Sequence, residues 1–148
     1  MLKARRILHP SDFSTASRAA FARAVAEART NRAQLLIVHV LAPVIAVAGE
    51  GYVAPAVYEQ MLDASRAWAQ KQLDRLLARA KAAGVRARGM LREGVVPDQI
   101  VRVAKAQRAD LIVIGTHGRT GVARFFLGSV AARVTATAPC PVLTVRGR

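Results

Sequence analysis

Apolar residues fall along this chain in two alternating rhythms. Short, nearly unbroken runs recur at Arg5–His9, Gln34–Val40, Leu111–Ile114 and Pro141–Val145, each with the length and β-branching of a strand buried on both faces. Between them the period lengthens to that of a helix. Phe21, Ala24, Val25 and Ala28 share one face of a segment running from Ser14, an expected N-cap, to about Asn31. A longer stripe, from Tyr58, Met61 and Leu62 through Trp68, Ala69 and Leu73 to Leu77 and Ala80, predicts a helix from about Val57 to Ala83 that packs on a sheet, with Gly84 as its stop. Arg86–Leu91 reads as a weaker strand at a sheet edge, because it carries charge and a glycine. Pro97 opens a helix to about Gln107, and Ser129–Val134 forms a short last helix with Ser129 near its cap. Residues 42–56, with Pro43, Gly49, Gly51 and Pro55, form a long connection expected to border a pocket or a partner surface.

Strands and helices alternate throughout, which predicts an α/β fold: one parallel sheet with helices on both faces. The length of 148 residues fits a single domain spanning 1–148. In such sheets a ligand sits beyond the carboxyl ends of the strands, where the strand order reverses. Asp12 follows the first strand and Gly115 ends the fourth. If those strands are neighbours, both residues face one crevice.

The chemistry concentrates after the fourth strand. The stretch from Gly115 to Ser129 has the spacing G-x2-G-x9-G-S, formed by Gly115, Gly118, Gly128 and Ser129. A glycine-bearing loop thus leaves a strand and closes on a helix N-terminus, where unpaired N–H groups and the helix dipole favour an anion. Glycine there accommodates positive φ and lets a phosphate approach without meeting a Cβ. Neither the Gly-Lys-Ser/Thr ending of a P-loop nor G-x-G-x-x-G is present. Arg119 and Arg124 lie inside the loop, as phosphate partners or as solvated charges.

Composition narrows the classes further. Lys and Arg number 23 against 9 acidic residues, a net charge of +14, which attracts polyanions in general. The bases are scattered through every predicted helix and aromatics are only 5%, so the expectation is a solvated arginine-rich surface, with nucleic acid as an alternative partner. A single cysteine, Cys140, excludes an intramolecular disulfide and fits a reducing cytoplasm. Flanked by prolines before the last strand, it reads as a packed thiol. No apolar run is long enough to span a membrane, and the start of the chain lacks the apolar core of a signal peptide. His9, His39 and His117 have no metal-binding spacing, so no metal site is expected from protein side chains.

The loop spacing, together with Asp110-Leu-Ile-Val-Ile-Gly-Thr-His-Gly118 before it and Ala138-Pro-Cys-Pro-Val-Leu-Thr-Val145 after it, resembles the universal stress protein family. The opening strand followed by Pro10-Ser-Asp12-Phe-Ser14 extends the resemblance to the whole chain. The resemblance implies a Rossmann-like five-stranded sheet in the order 3-2-1-4-5. It implies the ATP-binding branch, with Pro10 and Asp12 and the Val40 backbone at the adenosine. Gly115 and His117 would lie at the ribose and phosphate entry, and Gly118, Gly128, Ser129 and Val130 would face the phosphates. Magnesium or manganese would be held through those phosphates. The family's C-terminal edge strand pairs with its twofold mate, implying a homodimer through Val142 to Val145, and Gly94 matches a glycine that shapes the pocket floor. The loop contains no Asp or Glu to orient a water. The expected role is therefore a stress sensor or switch with slow or no hydrolysis, the alternatives being a genuine ATPase or a nucleic-acid-binding module.

Overall fold

The computed structural model describes residues 3–43, 51, 53–117 and 127–147. Along them run β1 (Arg6–Pro10), α1 (Ser17–Asn31), β2 (Gln34–Leu41), α2 (Pro55–Ala82), β3 (Ala87–Glu93), α3 (Val96–Ala106), β4 (Leu111–Gly115), α4 (Ser129–Thr137) and β5 (Val142–Val145). The strands form one sheet in the order β3-β2-β1-β4-β5, with every pairing parallel. β1 is central, and the order reverses between β1 and β4. β3, the weak strand of the sequence, does lie at an edge.

Alternation along each strand divides the core. Ile7, Leu35, Ile37 and Val113 pack with Phe21, Ala24 and Ala28 of α1 and Leu73 and Ala80 of α2. Leu8, Leu36, Val38, Ile112 and Ile114 pack with Ile100 and Val103 of α3 and Ala131 and Val134 of α4. β1, β2 and β4 are therefore apolar on both faces, which is why they read as unbroken runs. Among the described residues no helix is long and apolar enough to cross a membrane.

Several local expectations shift. α1 starts at Ser17 after an N-cap at Ala16 that makes no side-chain bond. Ser14 instead closes the preceding turn, its Oγ accepting the Ser17 N–H at 3.2 Å and its carbonyl accepting the Ser17 hydroxyl at 2.9 Å. The α2 stripe is buried only at Ala69, Leu73 and Ala80, while Val57, Met61 and Trp68 remain about half exposed. A helix of 28 residues is about 42 Å long. The sheet strands are 4 to 8 residues, at most about 27 Å, so the first turns of α2 overhang the sheet.

Helices α1, α2 and α3 end alike. Ala33 N–H donates to Ala28 O (2.9 Å), Val85 N–H to Ala80 O (3.0 Å) and Ala109 N–H to Ala104 O (2.9 Å), the six-to-one closure that places the intervening residue in the left-handed region. After α2 that residue is Gly84, φ 77°. After α1 and α3 it is an arginine, Arg32 (φ 54°) and Arg108 (φ 51°), where a side chain costs about 1 kcal/mol that glycine would not.

Candidate functional site

Beyond the carboxyl ends of the strands lies a cavity of about 490 Å³. One wall is Pro10, Ser11 and Asp12 leaving β1, and another is Val38, His39, Val40 and Ala42 of β2 and its exit. The opposite side is Ile114, Gly115, Thr116 and His117, followed by Gly128 to Ala131 at the start of α4. Val96 and Ile100 of α3 form an apolar side. Of the residues singled out from sequence, Pro10, Asp12, Val40, Gly115, His117, Gly128, Ser129 and Val130 thus share one cavity. Gly118, Arg119 and Arg124 lie outside the described residues, as do 44–50 and 52 of the long connection. Gly94 does not line the cavity: its N–H extends the β2–β3 ladder by donating to Leu41 O at 3.0 Å, with φ 136°.

Backbone bonds fix these walls. The Ser11 N–H reaches Val38 O at 2.9 Å and the Thr116 N–H reaches Val145 O at 2.9 Å, carrying the sheet ladder past the strand ends. The Gly128 N–H donates to Thr116 O at 2.7 Å, tying the start of α4 to the end of β4. Gly128 has φ −58°, and a Cβ there would lie 2.8 Å from Thr116 O. Close backbone approach, not positive φ, is what calls for glycine at 128. At Gly115 an added Cβ meets nothing nearer than 3.5 Å.

α4 has no side-chain cap, and its first internal bond runs from Ala132 N–H to Gly128 O. The N–H groups of Ser129, Val130 and Ala131 therefore have no partner within the helix, and these residues line the cavity. An anion placed there meets the positive end of the helix dipole. His117 adds a second donor or acceptor. Its Nδ1 bonds Thr116 Oγ1 at 2.9 Å, while its buried Nε2 has no hydrogen-bond partner among the described residues. Asp12 accepts the Ser14 N–H on Oδ1 at 2.9 Å, an Asx-turn that holds the carboxylate at the cavity wall. Among the described residues no group of three or more His, Cys, Asp or Glu could hold a metal ion.

Sequence reasoning missed part of the surroundings. His39, considered from sequence as a metal ligand and set aside, lines the cavity and donates Nδ1–H to Ser11 O at 2.7 Å. Its ring stacks on Phe13 at 4.3 Å, and Phe13 meets Trp68 edge-on at 5.7 Å. Phe13 holds φ 63°, and its N–H donates to Ser11 Oγ at 3.1 Å. A second, more open hollow of about 510 Å³ lies beside this stack, bounded by Asp12, Val40, Ser65 and Trp68. Only pairing across β1, β2 and α2 brings these rings together, and no local spacing signals it. Cys140 is half-buried, and burial raises its thiol pKa, helped by the negative Asp110. It is a packed thiol, as expected.

Comparison with known proteins places this architecture. A profile of the universal stress protein family matches residues 3–146. A universal stress protein of Thermus aquaticus is 37% identical over 142 residues, covering 96% of this chain and 98% of the relative. The solved structure of a Lactobacillus plantarum universal stress protein superposes with a TM-score of 0.81 at 29% identity, over 95% of this chain and 97% of that one. A universal stress protein solved in complex with cAMP gives a TM-score of 0.71 at 26% identity, over 98% of both chains. The chain, matched by the family profile almost from end to end, belongs to the universal stress protein family.

Proposed function

We propose that this chain binds ATP with a divalent ion in the cavity between β1 and β4 and acts as a nucleotide-responsive switch in the stress response. The observation that carries the reading is convergence: Asp12 after β1 and the open N-terminus of α4 face one cavity at the point where the strand order reverses. The cavity's volume lies within the range of about 300–1,000 Å³ usual for small-molecule sites. Its lining is mostly apolar, with polar groups at Asp12, His117 and the α4 N-terminus. The related protein with bound cAMP supports an adenine nucleotide in particular.

In this reading the Asp12 carboxylate and the Val40 backbone accept and donate at the adenosine, with Pro10 shaping the wall. Gly115 and His117 border the ribose, and Gly118, Gly128, Ser129 and Val130 face the phosphates. The orphaned His117 Nε2 gains a partner from the ligand. Mg2+ or Mn2+ bound through the phosphates would neutralise their charge, since the described side chains supply no cluster for it. Asp12 is the only carboxylate among the described lining residues, and the Asx-turn already engages it. No second carboxylate among the described lining residues is placed to orient water, which supports a switch with slow or no hydrolysis. The open edge of β5, Val142 to Val145, pairs with its mate in a cytoplasmic homodimer.

Titration calorimetry with ATP and magnesium, and with ADP, AMP and cAMP, tests the reading. One saturable site per chain, weakened by Asp12→Asn, is expected. Absence of saturable binding to every adenine nucleotide would remove the proposal.

A further inference from the structure

The arginines that look scattered in sequence are gathered by the fold. In a parallel sheet every strand begins at the same pole, here the one opposite the cavity. Arg5 and Arg6 open β1, Arg32 precedes β2, Arg86 precedes β3 and Arg108 precedes β4. All are exposed. Backbone bonds hold them in a row: Leu35 N–H to Arg86 O at 2.9 Å, Gln34 N–H to Arg5 O at 2.9 Å and Asp110 N–H to Arg6 O at 2.8 Å. With strands about 4.8 Å apart, the row from β3 to β4 spans roughly 15 Å. Lys81 and Lys105, in the last turns of α2 and α3, point the same pole further toward positive charge.

No ion pair among the described residues neutralises this row. Among the described residues the ion pairs are Arg23–Glu27, Arg66 with Asp63 and Glu93, and Arg133–Asp98, none of them in the row. Asp110, the carboxylate beside the strand starts, accepts the Arg5 and Arg6 backbone N–H groups at 2.8 and 2.9 Å and offsets one charge, while Arg6 Nη1 donates to Gln107 O at 2.8 Å, so the row keeps a net positive charge. Helix ending does not explain the residue type either. Gly84 shows what the left-handed closure asks for, yet the equivalent positions after α1 and α3 hold Arg32 and Arg108.

We infer that this basic pole is a docking surface for the phosphate backbone of duplex DNA. Arginine forks suit phosphate oxygens, and a row of this length faces many phosphates, because the duplex carries one charge per about 1.7 Å of axis. The exposed large apolar residues Val53, Val57, Met61, Trp68, Val95 and Leu127 lie in the first half of α2 or just before α2, α3 and α4, so among the described residues this pole shows no apolar wedge for a membrane. Of the described aromatics, Phe13 and Trp68 stand beside the cavity, Phe21 is buried and Tyr58 lies in the first turn of α2, so among the described residues this pole has no stacking platform for single strands. Recognition is of charge and spacing, without base readout.

The test is fluorescence anisotropy of the full chain on a mixed-sequence DNA duplex of about 30 base pairs, three helical turns. Arg32→Gly/Arg108→Gly is compared with the charge-matched control Arg18→Gln/Arg75→Gln. Sequence-indifferent binding is expected, with log K falling against log salt at a slope of roughly −4 to −5 if the row engages. The glycine pair should lose at least about tenfold affinity at low salt and about two units of slope. Its melting temperature should be unchanged or raised, since glycine suits both sites, and the control pair should bind nearly as wild type. Equal losses in both pairs would reduce the effect to net charge and overturn the proposal. So would preference for single strands, or capture by phosphatidylserine vesicles with no duplex binding.

Discussion

Replacing Gly128 by alanine tests how the cavity is held together. The residue sits at φ −58°, so alanine meets no backbone penalty there. The obstacle is Thr116 O, which an ideal Cβ would approach to 2.8 Å, inside the 3.0 Å that real Cβ atoms essentially never breach. The same oxygen accepts the Gly128 N–H at 2.7 Å, so relieving the contact lengthens or breaks the bond joining α4 to β4. Overpacking of this kind costs about 1–3 kcal/mol, and a weakened buried hydrogen bond falls in the same range, so about 2 kcal/mol is expected. For a chain of this size each kcal/mol moves the melting temperature by about 3 °C, giving a drop of about 6 °C by calorimetry. ATP affinity should fall alongside, because Thr116, His117 and Ser129 line the cavity around that bond. Gly115→Ala is the contrast: its Cβ would rest at 3.5 Å from His117 O, and a loss below about 0.5 kcal/mol is expected, as for an ordinary tolerated substitution. If the two variants melt together, the close approach at Gly128 is not a structural requirement and the reasoning fails.

His9 should make stability depend on pH. Burial lowers its pKa from 6.5 to about 4, against the raising effects of the Val113 carbonyl bond and Asp12. The unfolded chain therefore binds the extra proton first, so stability is complete above about pH 6.5 and declines toward pH 4, by on the order of 3 kcal/mol. Denaturant melts of His9→Asn should lose that slope, whatever their baseline; an unchanged slope would acquit His9. Asp12→Asn keeps an acceptor for the Ser14 N–H but removes the charge. It should weaken ATP about tenfold, the worth of one charge-assisted hydrogen bond, with the melting temperature little changed. Gly94→Ala combines φ 136° with a Cβ 2.9 Å from Gln99 Nε2. It should cost about 1–3 kcal/mol, and adding Gln99→Ala should leave most of that loss in place, since the backbone strain remains.

Legibility in the sequence followed burial. Strands β1, β2 and β4 are covered on both faces, so their apolar runs announced them, and weaker β3 was recognised by its charge. The strand order was implied by the family resemblance; periodicity gave only parallel strands with helices between. The α2 stripe overstated packing because amphipathic spacing does not register that the helix outruns the sheet, leaving Met61 and Trp68 exposed. Ser14 could not be told from a helix cap, since a turn-closing serine makes the same kind of bond one step earlier. The need for glycine at 128 depends on a carbonyl twelve positions away, Thr116 O. Spacing marked the residue, but only the fold shows why.

The gathering of charge was hidden for a related reason. Along the chain, Arg6, Arg32, Arg86 and Arg108 are separated by whole strand–helix units, so no window contains a basic run. Parallel pairing makes positions that precede strands neighbours, and a solvated scatter becomes one row. The same topology sends the opposite ends of the strands to the cavity, so the two surfaces stand apart by the length of the sheet. The longer pairings run 5 to 7 residues, about 17–24 Å, while the screening length at physiological salt is about 8 Å. Charge on a bound nucleotide therefore reaches the arginine row only weakly. Saturating ATP with magnesium should change duplex DNA affinity by less than about twofold, well under the 1.4 kcal/mol of a tenfold effect. A tenfold change in either direction would refute this independence: direct electrostatics cannot supply it across that distance, and a rearrangement of the sheet or its helices would have to carry the signal.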